Sequence, residues 1–187
     1  MAFVISLKNM RYSKATNEWL MLQYRLSQEP KFLEQLYKNC ADDLYHFLLT
    51  QSEPDMAKEI THLAWVKVME KRNQFQQGGK FKNWLFTLGR NLLIDEFRRN
   101  KKLVELQDEE QTIFCEFSNL DKLQKAQAFN VALEALPFFQ REALILMQEG
   151  FGLLEISAIT EVDTETVKSR IRYAKQKLKT MMSKYHE

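Results

Sequence analysis

The chain contains 187 residues, which is enough for one ordinary domain or two small ones. Apolar residues make up 45% of it and charged residues 28%, so a buried core can form and disorder throughout is excluded. Its five glycines and three prolines are too few for a sandwich or a barrel, because those folds need turn residues every ~8–12 positions. Because helical periodicity dominates and no convincing period-2 run occurs, we expect an all-α protein.

Charge is distributed unevenly along the chain, although the net charge is only +2. Residues 1–102 carry 17 Lys and Arg against 11 Asp and Glu, whereas residues 103–124 carry one lysine against six acids. Seven basic residues and no acid lie between Lys168 and Lys184. This order of basic, acidic and locally basic segments indicates two anion-binding modules joined by an acidic spacer.

The sequence predicts neither secretion nor membrane insertion. Its longest apolar runs fall far short of the ~20 residues that cross a bilayer, and the beginning of the chain lacks the apolar region of a signal peptide. The two cysteines, Cys40 and Cys115, have no metal-ligand spacing and form no disulfide framework. We expect a cytoplasmic protein that needs no cofactor and no metal.

Apolar residues recur at steps of three and four through most of the chain, which predicts amphipathic helices. Residues 1–26 are set apart as a leader of unknown role. Residues 27–102 are predicted to form a first domain of three helices, one near Pro30, one from about Ser52 to Arg72 and one from Phe81 to Lys102. Residues 103–120 form an acidic linker, and residues 121–187 a second domain of four helices.

The helix that begins at Phe81 is predicted to have a polar face with a binding function. A Gly78-Gly79 loop precedes it and offers an aromatic ring and amide groups at Phe75, Gln76 and Gln77. Basic groups and amides on one face suit single-stranded DNA, in which bases are unstacked. The aromatic residues Trp84, Phe86 and Phe97 are interpreted as core. The polar side chains opposite the apolar stripe are Asn83, Thr87, Arg90, Asn91 and Arg98.

A helix-turn-helix is predicted near the C-terminus, with a short helix at residues 153–160, a tight segment at 161–163 and a long second helix. Asp163 is a good N-cap. Glu161 stands where glycine is usual, which predicts either a distorted turn or a strained residue. The expected small core consists of Leu154, Ile156, Ile159, Val162, Val167 and Ile171. The outward face, which would enter a major groove, carries Glu165, Thr166, Lys168, Ser169, Arg172 and Lys175.

The stretch from Phe81 to Lys102, and that from Leu136-Pro137 through Val167-Lys168-Ser169-Arg170 to Ala174, resemble the two core regions of an extracytoplasmic-function (ECF) sigma factor of bacterial RNA polymerase. The resemblance covers about residues 28–102 and 121–183. It implies a region-2-like domain that recognises and melts a −10-type promoter element, a region-4-like domain that recognises a −35-type element, and a linker along the RNA-exit path of the polymerase. The implied partners are promoter DNA, the clamp and flap regions of core polymerase, and an anti-sigma factor, with no homo-oligomer.

The resemblance also implies roles for individual residues. Those implied to hold a flipped base or to line the opened strand are Phe75, Gln76, Gln77, Lys80, Asn83, Thr87, Arg90, Asn91, Arg98 and Arg99. Those implied to contact the −35-type element are Glu165, Thr166, Lys168, Ser169, Arg170, Arg172 and Lys175. The polymerase-docking helix of the family tends to read Asp-x-x-Gln-acid-x-Phe. Here Glu59 keeps the charge and Trp65 the ring, whereas His62 replaces the glutamine and Leu63 the acid.

Two other functions are weighed. Glu59 and His62 form the Glu-x-x-His step of di-iron bundles, but such a site needs a second pair and two further carboxylates. Because Gly-rich phosphate loops and nucleophile motifs are also missing, we expect no catalytic residue. The remaining alternative is a stand-alone helix-turn-helix regulator with a helical sensor domain, which would usually dimerise, although the sequence shows no heptad seam.

Overall fold

The computed structural model describes residues 15–76, 78–100 and 122–183, with the side chains of the fifth helix described from residue 128. The predicted linker at 103–120 and Gln77 lie outside the described residues. Within them every regular element is helical, which confirms the all-α prediction. The described residues form eight α-helices, and a short 3-10 turn (Arg72–Gln74) follows the third: α1 (Asn17–Ser27), α2 (Pro30–Leu49), α3 (Pro54–Glu70), α4 (Phe81–Arg99), α5 (Lys122–Glu134), α6 (Phe138–Gln148), α7 (Leu153–Thr160) and α8 (Thr164–Ser183).

Helices α1–α4 form the first unit. Pro30 and Pro54 begin α2 and α3, where a missing N–H costs no helical hydrogen bond. The core between the four helices is built from large side chains that are fully buried, including Leu20, Met21, Leu36, Leu44, Phe47, Phe81 and Leu85. Burial of this apolar surface drives the packing, since each such side chain contributes about 1.5–3 kcal/mol.

The first unit begins earlier than the sequence predicts. Residues 1–26 were predicted to be a leader outside the domain, but Asn17–Ser27 is helix α1, and its Leu20 and Met21 side chains are completely buried. Arg25 ties α1 to the loop after α3, because its guanidinium donates a hydrogen bond to the Phe75 carbonyl at 2.9 Å. The predicted boundary at residue 27 was therefore wrong. The exposed apolar side chain of Leu26 on the same helix makes the helical spacing of the buried residues harder to recognise.

Helix α4 packs against both units. Its Phe86 ring lies between Phe47 of α2, at 5.4 Å between centroids, and Phe151 just before α7, at 4.8 Å. Gly89 permits the close approach of α4 to α2, because a Cβ at this position would lie 2.8 Å from Cδ1 of Leu44. Helix α4 is therefore packed against other helices on a wider part of its surface than the single apolar stripe that the sequence predicts.

Helices α5–α8 form the second unit. Its core includes Leu136, Phe138, Leu146, Ile156, Ile159, Val167 and Ala174. One member of the predicted helix-turn-helix core was wrong, since the Leu154 side chain is 79% exposed near the start of α7. The other five predicted core residues are buried or partly buried, so the crossed arrangement of α7 and α8 stands.

The two units are packed on each other. Besides the Phe86–Phe151 contact, Phe97 of α4 meets Phe138 of α6 with ring centroids 5.6 Å apart. Lys168 and Arg172 nevertheless stay exposed on the far side of α8. The contact between units therefore covers part of α4 and leaves the second helix of the helix-turn-helix accessible.

Candidate nucleic-acid interface

The turn between α7 and α8 has the geometry that its sequence predicts. Glu161 adopts the left-handed conformation, with φ 57° and ψ 37°, and its N–H donates to the Ser157 carbonyl. Asp163 caps α8, since its carboxylate accepts hydrogen bonds from the Thr166 N–H at 2.8 Å and the Thr166 hydroxyl at 2.7 Å. These bonds lower the pKa of Asp163. The turn thus fixes the direction in which α8 leaves α7.

Replacing Glu161 with glycine is expected to stabilise the protein. A residue with a Cβ pays about 1–2 kcal/mol for the left-handed conformation, and part of this gain is offset because glycine has more freedom when unfolded. We expect the free energy of unfolding to rise by about 0.5–1 kcal/mol, measured by urea denaturation. Glu161→Ala is the control, because it removes the carboxylate and keeps the strain. An equal gain in both variants would contradict the assignment.

The outward face of α8 is basic. Lys168, Arg172 and Lys175 are exposed, and Thr166 and Ser169 lie half-buried beside them. Lys168 pairs with Glu165 at 2.6 Å, and the Arg172 guanidinium lies 4.9 Å from the centre of the Tyr173 ring. Exposed pairs of this kind are worth at most about 1 kcal/mol, so these cations can exchange their partners for a phosphate or a base.

Arg170 differs from the other predicted contacts on α8, because its side chain turns inward. Its guanidinium lies 4.8 Å from the centre of the Phe139 ring, and its Nη1 is buried without a hydrogen-bond partner among the described residues. Burial lowers the pKa of Arg170, and the nearby Glu142 carboxylate opposes that shift. In this arrangement Arg170 belongs to the interior of the second unit.

On α4, only part of the predicted strand-binding face is exposed. Asn91, Arg98 and Arg99 point to solvent, and Arg98 and Arg99 pair with acids one turn back. Thr87 is half-buried, and its hydroxyl donates to the Asn83 carbonyl at 2.9 Å. The exposed part therefore keeps the amide of Asn91 and, two turns further along the helix, the adjacent guanidinium groups of Arg98 and Arg99.

The rest of that face is covered by glutamates of the second unit. The Arg90 guanidinium donates to Glu142 at 2.8 and 3.4 Å, and both side chains are buried. Lys80 pairs with Glu155 at 2.7 Å, and the Asn83 amide donates to the same carboxylate at 3.2 Å. Three predicted strand-binding side chains thus hold carboxylates instead of a nucleic acid.

The covered face has a further cation, Lys82, to which the sequence pattern assigned no role. Lys82 donates to Asp43 at 2.8 Å and to Glu149 at 3.3 Å. Burial acts to lower the pKa of Lys82, but the two carboxylates outweigh it, so its pKa is raised. No local pattern could have revealed Lys82, Glu142, Glu149 or Glu155, because their partners lie 39 to 75 residues away in the sequence.

Carboxyl pKa values in this interface shift in opposite directions. Burial raises the pKa of Glu142, and the charge and hydrogen bonds of Arg90 oppose this effect. The hydrogen bonds from Lys80 and from the Gly152 N–H lower the pKa of Glu155. Glu142 is therefore the buried and costly member of the interface, whereas Glu155 lies at its rim.

The loop before α4 differs from the sequence-based expectation. Phe75 is only 2% exposed, and its ring packs against Phe81 and Trp84 at 6.1 and 5.4 Å. A ring in this position is part of the core and cannot stack on a base without a rearrangement. Gln76 is exposed, so an amide remains available in the loop.

The three residues predicted for polymerase docking lie on α3. Glu59 and His62 are exposed, whereas Trp65 is buried against Tyr37 and Phe81, at 5.1 and 6.1 Å between ring centroids. Trp65 can therefore support a docking surface but does not form its outer layer. Within the described part of the chain, no group of His, Cys, Asp and Glu could hold a metal ion.

Comparisons with known proteins follow the division into two units. The profile described as Sigma-70 region 2 matches residues 36–103, and the one described as Sigma-70, region 4 matches residues 126–178. The ECF RNA polymerase sigma factor EcfG of Rhodopseudomonas palustris (strain TIE-1) is 31% identical over 139 residues, which cover 68% of this chain and 72% of EcfG. The chain belongs to the ECF sigma factors. It is a DNA-binding initiation factor that directs RNA polymerase to promoters.

Other relatives agree with this sigma-factor assignment. The ECF RNA polymerase sigma factor SigM of Bacillus subtilis (strain 168) is 25% identical over 159 residues, which cover 81% of this chain and 96% of SigM. The sigma factor RpoE of Bartonella quintana, solved with the anti-sigma factor NepR, has a TM-score of 0.64 and 28% identity over 80% of this chain and 96% of its own. CnrH, solved with the cytosolic domain of CnrY, shares the fold, with a TM-score of 0.65 and 20% identity over 89% of this chain and 97% of its own.

The stand-alone regulator, which the sequence left open as an alternative, can now be judged. A stand-alone regulator with a sensor domain is not supported, because the first unit matches sigma-factor region 2. Among the helices of the described residues, none has the length and apolar character needed to cross a membrane.

Proposed function

We propose that this sigma factor reads a promoter with two surfaces, the outward face of α8 on −35-type duplex and the polar face of α4 on the opened −10-type strand. The observation that carries the proposal is the face of α8, where Lys168, Arg172 and Lys175 are exposed at steps of four and three on a capped second helix. Such a helix fits a major groove, and its cations suit guanine edges and phosphates.

The free chain is then a closed form of the sigma factor. Arg90, Asn83 and Lys80 are occupied by Glu142 and Glu155, so the α4 surface can bind an opened strand only when the two units part. Carboxylates and phosphates are both anionic acceptors that fit a guanidinium, which is why one surface can serve both partners. We propose that parting accompanies assembly with core polymerase.

Lys168→Ala or Arg172→Ala is expected to weaken binding to a promoter duplex in the holoenzyme. If the side chain reads a base, the loss is about 1–3 kcal/mol and is confined to sequences with that base. If it contacts phosphate, the loss is uniform across sequences and the slope of log affinity against log salt falls by about one. Fluorescence anisotropy at several salt concentrations measures both quantities.

Lys38→Ala is the matched control for this experiment, because Lys38 is an exposed lysine on α2 that also pairs with a glutamate. It should leave affinity and salt slope unchanged. If Lys168→Ala and Arg172→Ala behave like Lys38→Ala, these residues do not lie on the DNA-binding face.

Asn91→Ala is expected to leave duplex binding nearly unchanged and to impair promoter opening, because Asn91 is an exposed amide on α4 that can bind an unstacked base. Permanganate footprinting of unpaired thymines measures the opening. Asn39→Ala removes an exposed amide from α2 and serves as control. Normal melting with Asn91→Ala would remove Asn91 from the strand-binding surface.

Partners and location complete the proposal. We infer that Glu59 and His62 contact the polymerase clamp, that the second unit contacts the flap, and that an anti-sigma factor binds this protein as NepR binds RpoE. The site of action is the cytoplasm, where core polymerase is found. Copurification with core polymerase subunits tests the docking, and loss of copurification in Glu59→Ala/His62→Ala tests the assigned surface.

A further inference from the structure

Glu142 is the most deeply buried charge at the contact between the two units. Its side chain is completely buried on α6, and its carboxylate is held by Arg90, which belongs to α4 of the other unit. A buried carboxylate without a partner costs several kcal/mol. Any separation of the units removes Arg90, so Glu142 then needs water or another cation.

A second guanidinium already stands near Glu142, and it belongs to the same unit. Arg170 on α8 packs against the same stretch of α6 as Glu142, because its guanidinium lies 4.8 Å from the centre of the Phe139 ring, one turn before Glu142. The charges of Arg170 and Glu142 also act on each other's pKa, although no hydrogen bond joins the two side chains. Its Nη1 is buried and has no hydrogen-bond partner among the described residues. A buried, unpaired donor of this kind is unusual in a folded protein and calls for an explanation.

We propose that Glu142 exchanges its guanidinium partner, binding Arg90 when the units are in contact and Arg170 when they part. In this proposal, Arg170 Nη1 has no hydrogen-bond partner while the units are in contact, because it is the donor that binds Glu142 after they part. The exchange gives the Glu142 carboxylate a hydrogen-bond partner in both the closed and the open form. The free-energy difference between the two forms is therefore smaller, and the contact between the units is reversible.

The exchange also links the two DNA-binding surfaces. When the units part, Arg90 on α4 is released, and at the same time Arg170 is held within the second unit, one residue after the half-buried Ser169 of the outward face of α8. This consequence rests on the proposed function of the two helices. The exchange itself involves no DNA, so it can be tested separately.

Arg170→Gln tests the exchange in the full chain. Spin labels at Lys38→Cys and Lys179→Cys report the distance between α2 and α8 by double electron–electron resonance, with Cys115 replaced by serine. Cys40 can stay, because burial raises the pKa of its thiol to about 12 and keeps it unreactive. The urea concentration is chosen so that the spin-labelled protein with Arg170 intact populates both the closed form, with the units in contact, and the open form, with the units apart.

We expect Arg170→Gln to lower the open-to-closed ratio about tenfold or more, because only the open state loses a charge-assisted hydrogen bond. If Arg170 merely supported the closed contact through its attraction to Glu142, the ratio would rise instead. A rise or an unchanged ratio overturns the proposal.

A second measurement keeps the proposal testable if Arg170→Gln folds poorly. It also distinguishes an Arg170–Glu142 hydrogen bond in the open form from electrostatic repulsion between Arg90 and Arg170 in the closed form. In Arg90→Gln, which favours parting, the Arg170 side-chain N–H signals should become protected from solvent exchange in nitrogen-15 NMR spectra. Arg170→Lys identifies those signals by their loss. Unprotected Arg170 signals in Arg90→Gln overturn the exchange, whereas promoter binding by Lys168 and Arg172 is unaffected by that result.

Discussion

Replacing Phe86 with alanine is expected to lower the free energy of unfolding by about 3–5 kcal/mol, because it removes a fully buried aromatic ring and leaves a cavity. The ring touches Phe47 in its own unit and Phe151 in the other, so the cavity opens at the junction of both. Chemical denaturation followed by circular dichroism measures the loss.

Phe151→Ala is the matched control for that prediction, because it removes the partner ring and leaves the packing of Phe86 on Phe47 intact. Amides of α2–α4 should keep their protection from hydrogen exchange in Phe151→Ala and lose it in Phe86→Ala. Equal protection in Phe86→Ala and Phe151→Ala would show that the Phe86 ring is not needed for the core of the first unit.

Glu142→Leu is expected to separate the two units. It leaves the Arg90 guanidinium buried without its carboxylate, and breaking a buried pair by removing one partner costs about 3–5 kcal/mol. The Arg90 guanidinium recovers its hydration if the units part. The free-energy cost of the lost partner therefore separates the two units and does not unfold the helices. Small-angle X-ray scattering should show a larger radius of gyration with an unchanged circular dichroism spectrum.

The double variant Arg90→Leu/Glu142→Leu is the control for opening. A buried ion pair can often be replaced by apolar side chains at little cost, so the double variant should return to the closed dimensions. Scattering from Glu142→Leu that matches the original protein would show that the Arg90–Glu142 pair does not hold the units together.

The sequence predicts most of the fold because its local signals agree. Apolar spacing, Pro30 and Pro54 at helix starts, and the Asp163 cap each act within one or two turns, so they can be read from neighbouring residues. Helix α1 was missed because its exposed Leu26 obscures the buried stripe. Either a distorted turn or a strained residue was predicted at Glu161, and its left-handed conformation, with φ 57°, corresponds to the second.

The candidate site is less predictable, because the same side chains can serve different partners. A polar face with Arg90 and Asn83 suits a nucleic acid, and it suits the carboxylates of Glu142 and Glu155 equally well. Only the tertiary contact decides which partner is present. Phe75 likewise has a ring that could stack on a base, but its packing in the first unit depends on residues that the local sequence does not identify.

The most direct test is the distance between residues 38 and 179 in the free sigma factor and in an active complex with core polymerase and promoter DNA. We expect a longer distance in the promoter complex, because α4 must leave Glu142 and Glu155 before it can bind an opened strand. An unchanged distance in a complex that transcribes from its promoter would show that the two units need not part for the strand to bind.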